Sequence, residues 1–102
     1  MIVGYLSKAP DEEVDQAIDL TQLAATVGPL TLVSVTIEDN LGNDVTLEML
    51  VVPPTPSIQN NVATFRVGNG LPPGSVYWAS VVVSSQNGQE FEESVKIFIL
   101  DH

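Results

Sequence analysis

Few side chains in this sequence could perform chemistry, and most of them are carboxylates. The chain has 13 Asp and Glu residues, 3 Lys and Arg residues, one His and no Cys. General acid–base catalysis and a Ser-His-Asp triad both favour His, and the one available is His102. There is no Gly-x-Ser-x-Gly elbow for a nucleophilic serine and no thiolate for attack or metal binding. These observations predict a protein that is not an enzyme and that carries no cofactor.

Paired carboxylates are the remaining catalytic option, because glycosidases place two of them across a cleft. The candidate pairs are Glu12 with Glu13, Glu92 with Glu93, and Asp15 with Asp19. A domain of 102 residues rarely forms such a cleft. The sequence therefore favours solvated charges that keep sheet edges from pairing with other chains.

One loop is rich in hard oxygen ligands of the kind that calcium prefers. Its ligand-type residues are Glu38, Asp39, Asn40, Asn43 and Asp44. Their spacing is not that of an EF-hand, and the same residues are common turn formers. Two interpretations stay open, a weak calcium site and a plain hairpin turn, and the turn is favoured.

The net charge of −10 excludes two classes of partner. Nucleic acids and anionic membranes both require a basic surface, which three cations cannot supply. The charge serves solubility or, alternatively, docking against a basic protein surface. Residues 1–5 lack the basic start and apolar run of a signal peptide, and the absence of Cys favours folding in a reducing cytoplasm.

The hydrophobic pattern predicts strands almost throughout. The apolar share is 44%, and alternation of apolar and polar residues marks six segments, 14–20, 30–38, 45–52, 62–67, 76–85 and 90–100. Turn-forming residues separate these segments, at 39–44, 53–56, 57–61, 68–75 and 86–89, and residues 21–26 could form one helical turn. We therefore expect an all-β fold, a single immunoglobulin-like or fibronectin type III-like antiparallel sandwich of about seven strands over residues 11–102.

Strand parity predicts which side chains face the core. On segment 30–38 the expected inward residues are Val33, Val35 and Ile37. On segment 45–52 every second residue is apolar, namely Val45, Leu47, Met49 and Val51. This alternation predicts a strand that forms a hairpin with segment 30–38. On segment 76–85 the expected inward residues are Tyr77, Ala79, Val81 and Val83, with Ser80 and Ser84 outward.

Two places offer candidate contact residues. Residues 1–10 form an N-terminal arm that is too apolar for a solvated tail, so it either adds an edge strand or packs on a neighbouring subunit; its apolar residues are Ile2, Val3, Tyr5 and Leu6. Trp78 is the other candidate. In the outward parity it would be a contact anchor, and after a slip of one residue it would be core.

A short motif before segment 76–85 resembles a known structural element. It reads Leu71-Pro72-Pro73-Gly74-Ser75-Val76-Tyr77 and is similar to the Leu-x-Pro-Gly-x-x-Tyr element of fibronectin type III domains. The resemblance implies a tyrosine corner made by Leu71, Pro73, Gly74 and Tyr77, in which the tyrosine hydroxyl bonds to upstream backbone. This role is structural.

The C-terminal half resembles small immunoglobulin-like virion proteins of tailed bacteriophages, of the tail-fibre adaptor or minor structural type. The resemblance lies in the order of five features: Val62-Ala63-Thr64-Phe65-Arg66-Val67, Gly68-Asn69-Gly70, Gly74-Ser75-Val76-Tyr77, the segment Val81 to Gly88, and a Glu-rich start to the last strand. The acidic lead into residues 14–20 is also similar. The sequence departs from that pattern at residues 53–56 and in the apolar arm, and the likeness carries no family site residues.

That resemblance implies a function. The expected protein is a structural component of the virion, made in the host cytoplasm, that docks onto portal, neck, tail, fibre or capsid proteins in many copies of a symmetric assembly. A fibre adaptor and a capsid decoration are both consistent with it. The alternative is a stand-alone carbohydrate-binding or adhesion module, which would need exposed aromatic side chains on one face or in loops.

Overall fold

The described part of the chain folds into two β-sheets packed face to face. The computed structural model describes residues 2–8, 12–68 and 75–100, and for residues 2–4 the backbone alone. The elements are β1 Ile2–Lys8, β2 Val14–Asp19, α1 Thr21–Val27, β3 Leu30–Asp39, α2 Thr46–Met49, β4 Ser57–Gln59, β5 Val62–Val67, β6 Val76–Ser85 and β7 Glu90–Ile99. A four-stranded sheet has the order β1-β7-β6-β3, and a three-stranded sheet has the order β2-β5-β4. The predicted all-β sandwich is confirmed.

The strand order is that of an immunoglobulin-like sandwich. After the first strand, β2, β5 and β4 take the places of strands B, E and D, and β3, β6 and β7 take those of C, F and G. The first strand, β1, pairs in parallel with β7, so the sandwich has one parallel pair among antiparallel ones. Residues 2–8 of the expected arm are therefore an edge strand of the larger sheet.

The core lies between the sheets and follows the alternation of the sequence. On β6 the inward residues are the predicted ones, and Ala79, Val81 and Val83 have no exposed surface. The β7 residues Val95, Ile97 and Ile99 are opposite or next to them and are also buried. Complete burial of such a side chain contributes about 1.5–3 kcal/mol each, so this layer supplies much of the driving force for folding.

A β-bulge in β3 changes the predicted parity at its start. The register with β6 shifts between Leu32 and Ser34, so one extra residue, Val33, is accommodated there. Val35 and Ile37 are buried as expected, but Val33 is 49% exposed. The prediction that Val33 faces the core is wrong, because a bulge exchanges the faces on one side of it.

The predicted strand over residues 45–52 is also wrong. A short helix, α2, occupies its first half, and in it Leu47 is 97% exposed while Met49 is 1% exposed. The Asp44 carboxylate accepts hydrogen bonds from the Thr46 N–H (2.9 Å) and hydroxyl (2.6 Å). The Thr46 hydroxyl oxygen in turn accepts the Ile37 N–H at 2.9 Å. These side-chain bonds, one of them to β3, take the place of a strand ladder.

Residues 57–61 contain more than the predicted turn. Ser57–Gln59 is strand β4, and it pairs with β5 through a two-residue turn at Asn60 and Asn61. Both asparagines have positive φ, 51° and 63°. Positive φ at both central residues is the requirement of a type I′ hairpin turn, and Asn tolerates it better than other non-glycine residues.

Candidate interaction surface

The outer side of the four-stranded sheet carries a cross-strand row of large side chains. In the register of the sheet, Tyr5 of β1 is opposite Lys96 of β7, Lys96 is opposite Trp78 of β6, and Trp78 is opposite Glu38 of β3. Phe98 lies two residues beyond Lys96 on the same face of β7. We call the set Tyr5, Trp78, Lys96 and Phe98 the aromatic face.

Contacts between these side chains hold the rings and the cation together. The Tyr5 and Phe98 rings have centroids 6.0 Å apart at an interplanar angle of 29°. The Lys96 Nζ atom lies 5.0 Å from the Trp78 ring centroid and 5.1 Å from that of Phe98. A cation within about 6 Å of a ring centroid is attracted by the negative face of the ring. Lys96 is therefore held over two rings rather than extended into solvent.

The structure decides between the two interpretations of Trp78. Its neighbours Tyr77 and Ala79 point into the core, so Trp78 lies on the outer side and is half-buried there. Of the apolar arm residues, Tyr5 is 67% exposed, whereas Leu6 packs against the core. Ile2 and Val3 belong to β1, and the structure describes their backbone but not their side chains.

The three cations of the chain have different surroundings. Lys8 is 1% exposed at the end of β1. Arg66, on β5, forms a bidentate pair with Asp15 of β2, with Nε–Oδ1 at 2.6 Å and a second bond from Nη2 to Oδ2 at 3.2 Å. Of these three cations, Lys96 is the one that lies on the outer side of the larger sheet, where it could contact an external ligand.

The outer side of the three-stranded sheet is satisfied by its own polar residues. The hydrogen bonds from Arg66 hold the pKa of Asp15 below its ordinary value, and Asp15 in turn raises the pKa of Arg66. A nearby cavity of about 260 Å³ is lined by Asp15, Pro54, Thr55, Ser57, Thr64 and Phe65. This cavity contains one carboxylate, and that carboxylate is bound to Arg66. The described residues of its lining therefore do not include the pair of carboxylates that glycosidases place across a cleft.

The loop proposed as a weak calcium site uses its carboxylates internally. Asp39 Oδ1 accepts the N–H groups of Leu41 and Asn43, each at 2.9 Å, and Oδ2 accepts Asn43 Nδ2 at 3.1 Å. These bonds hold the pKa of Asp39 below its ordinary value, and the bonds from Thr46 do the same for Asp44. Within residues 2–8, 12–68 and 75–100, no three His, Cys, Asp or Glu side chains are grouped as metal ligands. Asn40 is exposed beside them.

The tyrosine corner is described in part. Tyr77 is buried at the start of β6, with 9% of its surface exposed. Leu71, Pro73 and Gly74 lie outside the described residues.

Two residues that matter to these surfaces were not singled out from the sequence. Lys96 and Phe98 were recognisable in principle, since they have the parity opposite to Val95, Ile97 and Ile99. The sequence predicts Glu93, paired with Glu92, as a solvated charge, and for Glu93 that expectation is wrong. It shares the inward parity, is 7% exposed, and its Oε2 atom has no hydrogen-bond partner.

Comparison with known proteins adds no assignment to this description. Neither a protein-family model nor a curated protein sequence matches the chain. Among the described residues, neither α1 nor α2 has the length and apolar character that crossing a bilayer requires.

Proposed function

We propose that this chain is a non-catalytic docking domain, a structural protein of a tailed-bacteriophage virion that contacts other virion proteins through its aromatic face. One observation carries the docking role. On the outer side of the four-stranded sheet, Lys96 lies over the rings of Trp78 and Phe98, and Tyr5 stacks on Phe98. Aromatic side chains are enriched among the residues that dominate protein–protein binding.

Charge supports a protein partner. The chain carries a net charge of −10, and acidic residues such as Glu38 border the aromatic face. An acidic rim around an apolar centre steers association toward a surface with complementary local charges. The resemblance to phage virion proteins supports the particular setting, with portal, neck, tail, fibre or capsid proteins as partners and the virion as location. Many copies in a symmetric particle would make a weak individual contact sufficient.

The test is the presence of the chain in purified particles. Particles would be isolated by density-gradient centrifugation from a host culture that produces the chain, and the chain quantified by mass spectrometry. We expect a fixed copy number per particle for the unaltered chain, a several-fold lower copy number for Trp78→Ala, and no change for Thr64→Ala on the other sheet. Particles without the chain would contradict the virion role, and equal occupancy of all three chains would contradict the role of the aromatic face.

A carbohydrate-binding module is the second candidate, because exposed rings can stack on sugars. Ser80 and Ser94 lie one row below Trp78 and Lys96, with their hydroxyl oxygens 3.3 Å apart, and could bond to sugar hydroxyls. A glycan array tests this candidate. Binding to one glycan class that is lost in Trp78→Ala and retained in Thr64→Ala would favour it over protein docking.

A further inference from the structure

The outer side of the four-stranded sheet has a central row of small hydroxyl residues. Thr36 of β3 is opposite Ser80 of β6, and Ser80 is opposite Ser94 of β7. All three are partly exposed. The side chains of this central row are small compared with Trp78 and Lys96 beside it. The row divides the outer side of the sheet into two halves.

The two halves carry complementary side chains at equal distances from the central row. Two residues beyond it on one side are Trp78 on β6 and Lys96 on β7, which are opposite each other. Two residues beyond it on the other side are Val82 on β6 and Glu92 on β7, also opposite each other. The first half thus offers an aromatic ring and a cation, and the second offers an aliphatic side chain and a carboxylate.

A rotation of 180° about the central row brings each half onto the other. It lays β6 of one copy antiparallel over β6 of a second copy, and β7 over β7. Trp78 then meets Val82 of the second copy, and Lys96 meets Glu92 of the second copy. Because the operation is two-fold, each of these contacts occurs twice, as in any isologous interface.

We propose that the partner of the aromatic face is a second copy of this chain, docked face to face about the axis Thr36–Ser80–Ser94. The inference rests on the proposed docking function of this face and names its partner. The local placement of charge favours this partner, since the two-fold sets Lys96 against the Glu92 carboxylate of the second copy at both ends of the interface. Each Lys96 exchanges its place over two rings of its own chain for a position between those rings and Glu92 of the second copy.

The available area sets the strength of the contact. Four strands spaced by about 4.8 Å and nine residues rising about 3.3 Å each cover roughly 19 by 30 Å. About 500 Å² from each copy, or about 1,000 Å² in total, is at the lower limit for a specific interface. The dimer is therefore weak, and repulsion between two chains of −10 weakens it further at low salt. Moderate salt screens that long-range repulsion.

Charge reversal tests the pairing directly. The full chain and its variants would be studied by sedimentation velocity over a range of concentrations at moderate salt. We expect the dimer dissociation constant to rise at least tenfold in Lys96→Glu and in Glu92→Lys, and to return close to its original value in the double variant, where the pair is restored in reverse. The control carries Gln22→Glu and Gln59→Glu together. It changes the net charge by the same two negative units as Lys96→Glu, but away from the outer side of the larger sheet, and should leave the dimer intact.

A crosslink locates the axis independently of the charges. The chain has no Cys, so Ser94→Cys introduces a single thiol on the axis, where it meets its own copy. Mild oxidation should give a covalent dimer, whereas Ser84→Cys, off the axis, should give none. Unfolding curves of each variant show whether it folds, and Lys96→Gln replaces Lys96→Glu if that chain does not.

Three results would overturn the proposal: a monomer at all concentrations, a double variant that stays as weak as the single ones, or equal crosslinking at positions 84 and 94. A monomeric chain whose particle occupancy still depends on Trp78 would leave the proposed docking function standing, with a different protein as partner. A dimer that is absent from purified particles would overturn the virion role alone.

Discussion

The outer sides of the two sheets are built on the same strand alternation and yet differ in chemistry. On the three-stranded sheet, Asp15 and Arg66 satisfy each other with two hydrogen bonds, and Ala17 and Thr64 next to them are small. On the four-stranded sheet, Lys96 lies over two rings, a third ring stacks on one of them, and all three remain partly open to solvent. A face that satisfies itself gains little from a partner. A face that keeps large rings exposed has apolar area still to bury, and this difference is why we propose the larger sheet as the contact side.

The largest expected effect tests whether both sheets depend on one core. Phe65 of the three-stranded sheet is 2% exposed and Ile97 of the four-stranded sheet is fully buried. Because truncation removes buried apolar surface and leaves a cavity, Phe65→Ala and Ile97→Ala should each lower the free energy of unfolding by about 3 kcal/mol. Urea unfolding monitored by Trp78 fluorescence measures this. Thr64→Ala, on the outer side, should change it by less than about 0.5 kcal/mol, and a small loss in either core variant would show that one sheet packs loosely.

The buried face of the larger sheet carries one carboxylate among the described residues, that of Glu93. One of its carboxylate oxygens is buried without a hydrogen-bond partner, and burying an unsatisfied polar group is unfavourable. Glu93→Leu should therefore raise the free energy of unfolding by about 1 kcal/mol. Glu90→Leu, an exposed position on the same strand, is the matched control and should have little effect. Destabilisation by Glu93→Leu would mean that the carboxylate has a binding or folding role.

The smaller sheet depends on its turn. Asn61 has a φ of 63°, where a side chain with a Cβ atom is strained unless it is Asn or Asp. Asn61→Ala should lower the free energy of unfolding by about 1 kcal/mol, whereas Asn61→Gly should maintain or raise it. Thermal unfolding of the two variants measures the difference. Equal losses would indicate that the Asn61 side chain itself contributes, beyond its backbone conformation.

The smallest expected effect separates the two outer sides by their response to acid. The pKa of Asp15 is lowered chiefly by its hydrogen bond to Arg66, and that of Asp19 by hydrogen bonds from Thr21. A carboxyl group whose pKa is lower in the folded state stabilises the fold above its unfolded-state pKa, about 3.9, and that contribution disappears as the pH falls through the folded-state value.

Arg66→Ala should therefore reduce stability more at pH 7 than at pH 2.5, where protonation of Asp15 weakens the ion pair in the unaltered chain. Trp78→Ala removes an uncharged ring and should reduce stability by a similar amount at both pH values. Urea unfolding at pH 7 and pH 2.5 makes the comparison. An acid-insensitive Arg66→Ala effect would show that Arg66 acts by packing rather than through its ion pair.

Much of this fold was predictable because strand alternation and turn residues are local signals. The segments 62–67 and 76–85 match β5 and β6 residue for residue, and the turn before β7 has Gly88 at φ 83°, as Asn87-Gly88 indicates. The errors arose where a contact between distant segments overrode local pattern. The apolar alternation of residues 45–52 predicts a strand, but Thr46 bonds to Ile37 nine residues earlier and closes the edge of β3 instead.

The aromatic face shows the same division between what the local sequence indicates and what the tertiary structure decides. The sequence by itself determined that the protein is an all-β sandwich, that it is strongly acidic, and that its chemical inventory is poor, because alternation, charge and residue types are properties of the chain alone. The tertiary structure decided that Trp78 faces outward, that Lys96 lies over two rings, and that Glu93 is buried. Those facts depend on which strands are neighbours and in what register, and register is set by the packing of the whole core rather than by any one segment.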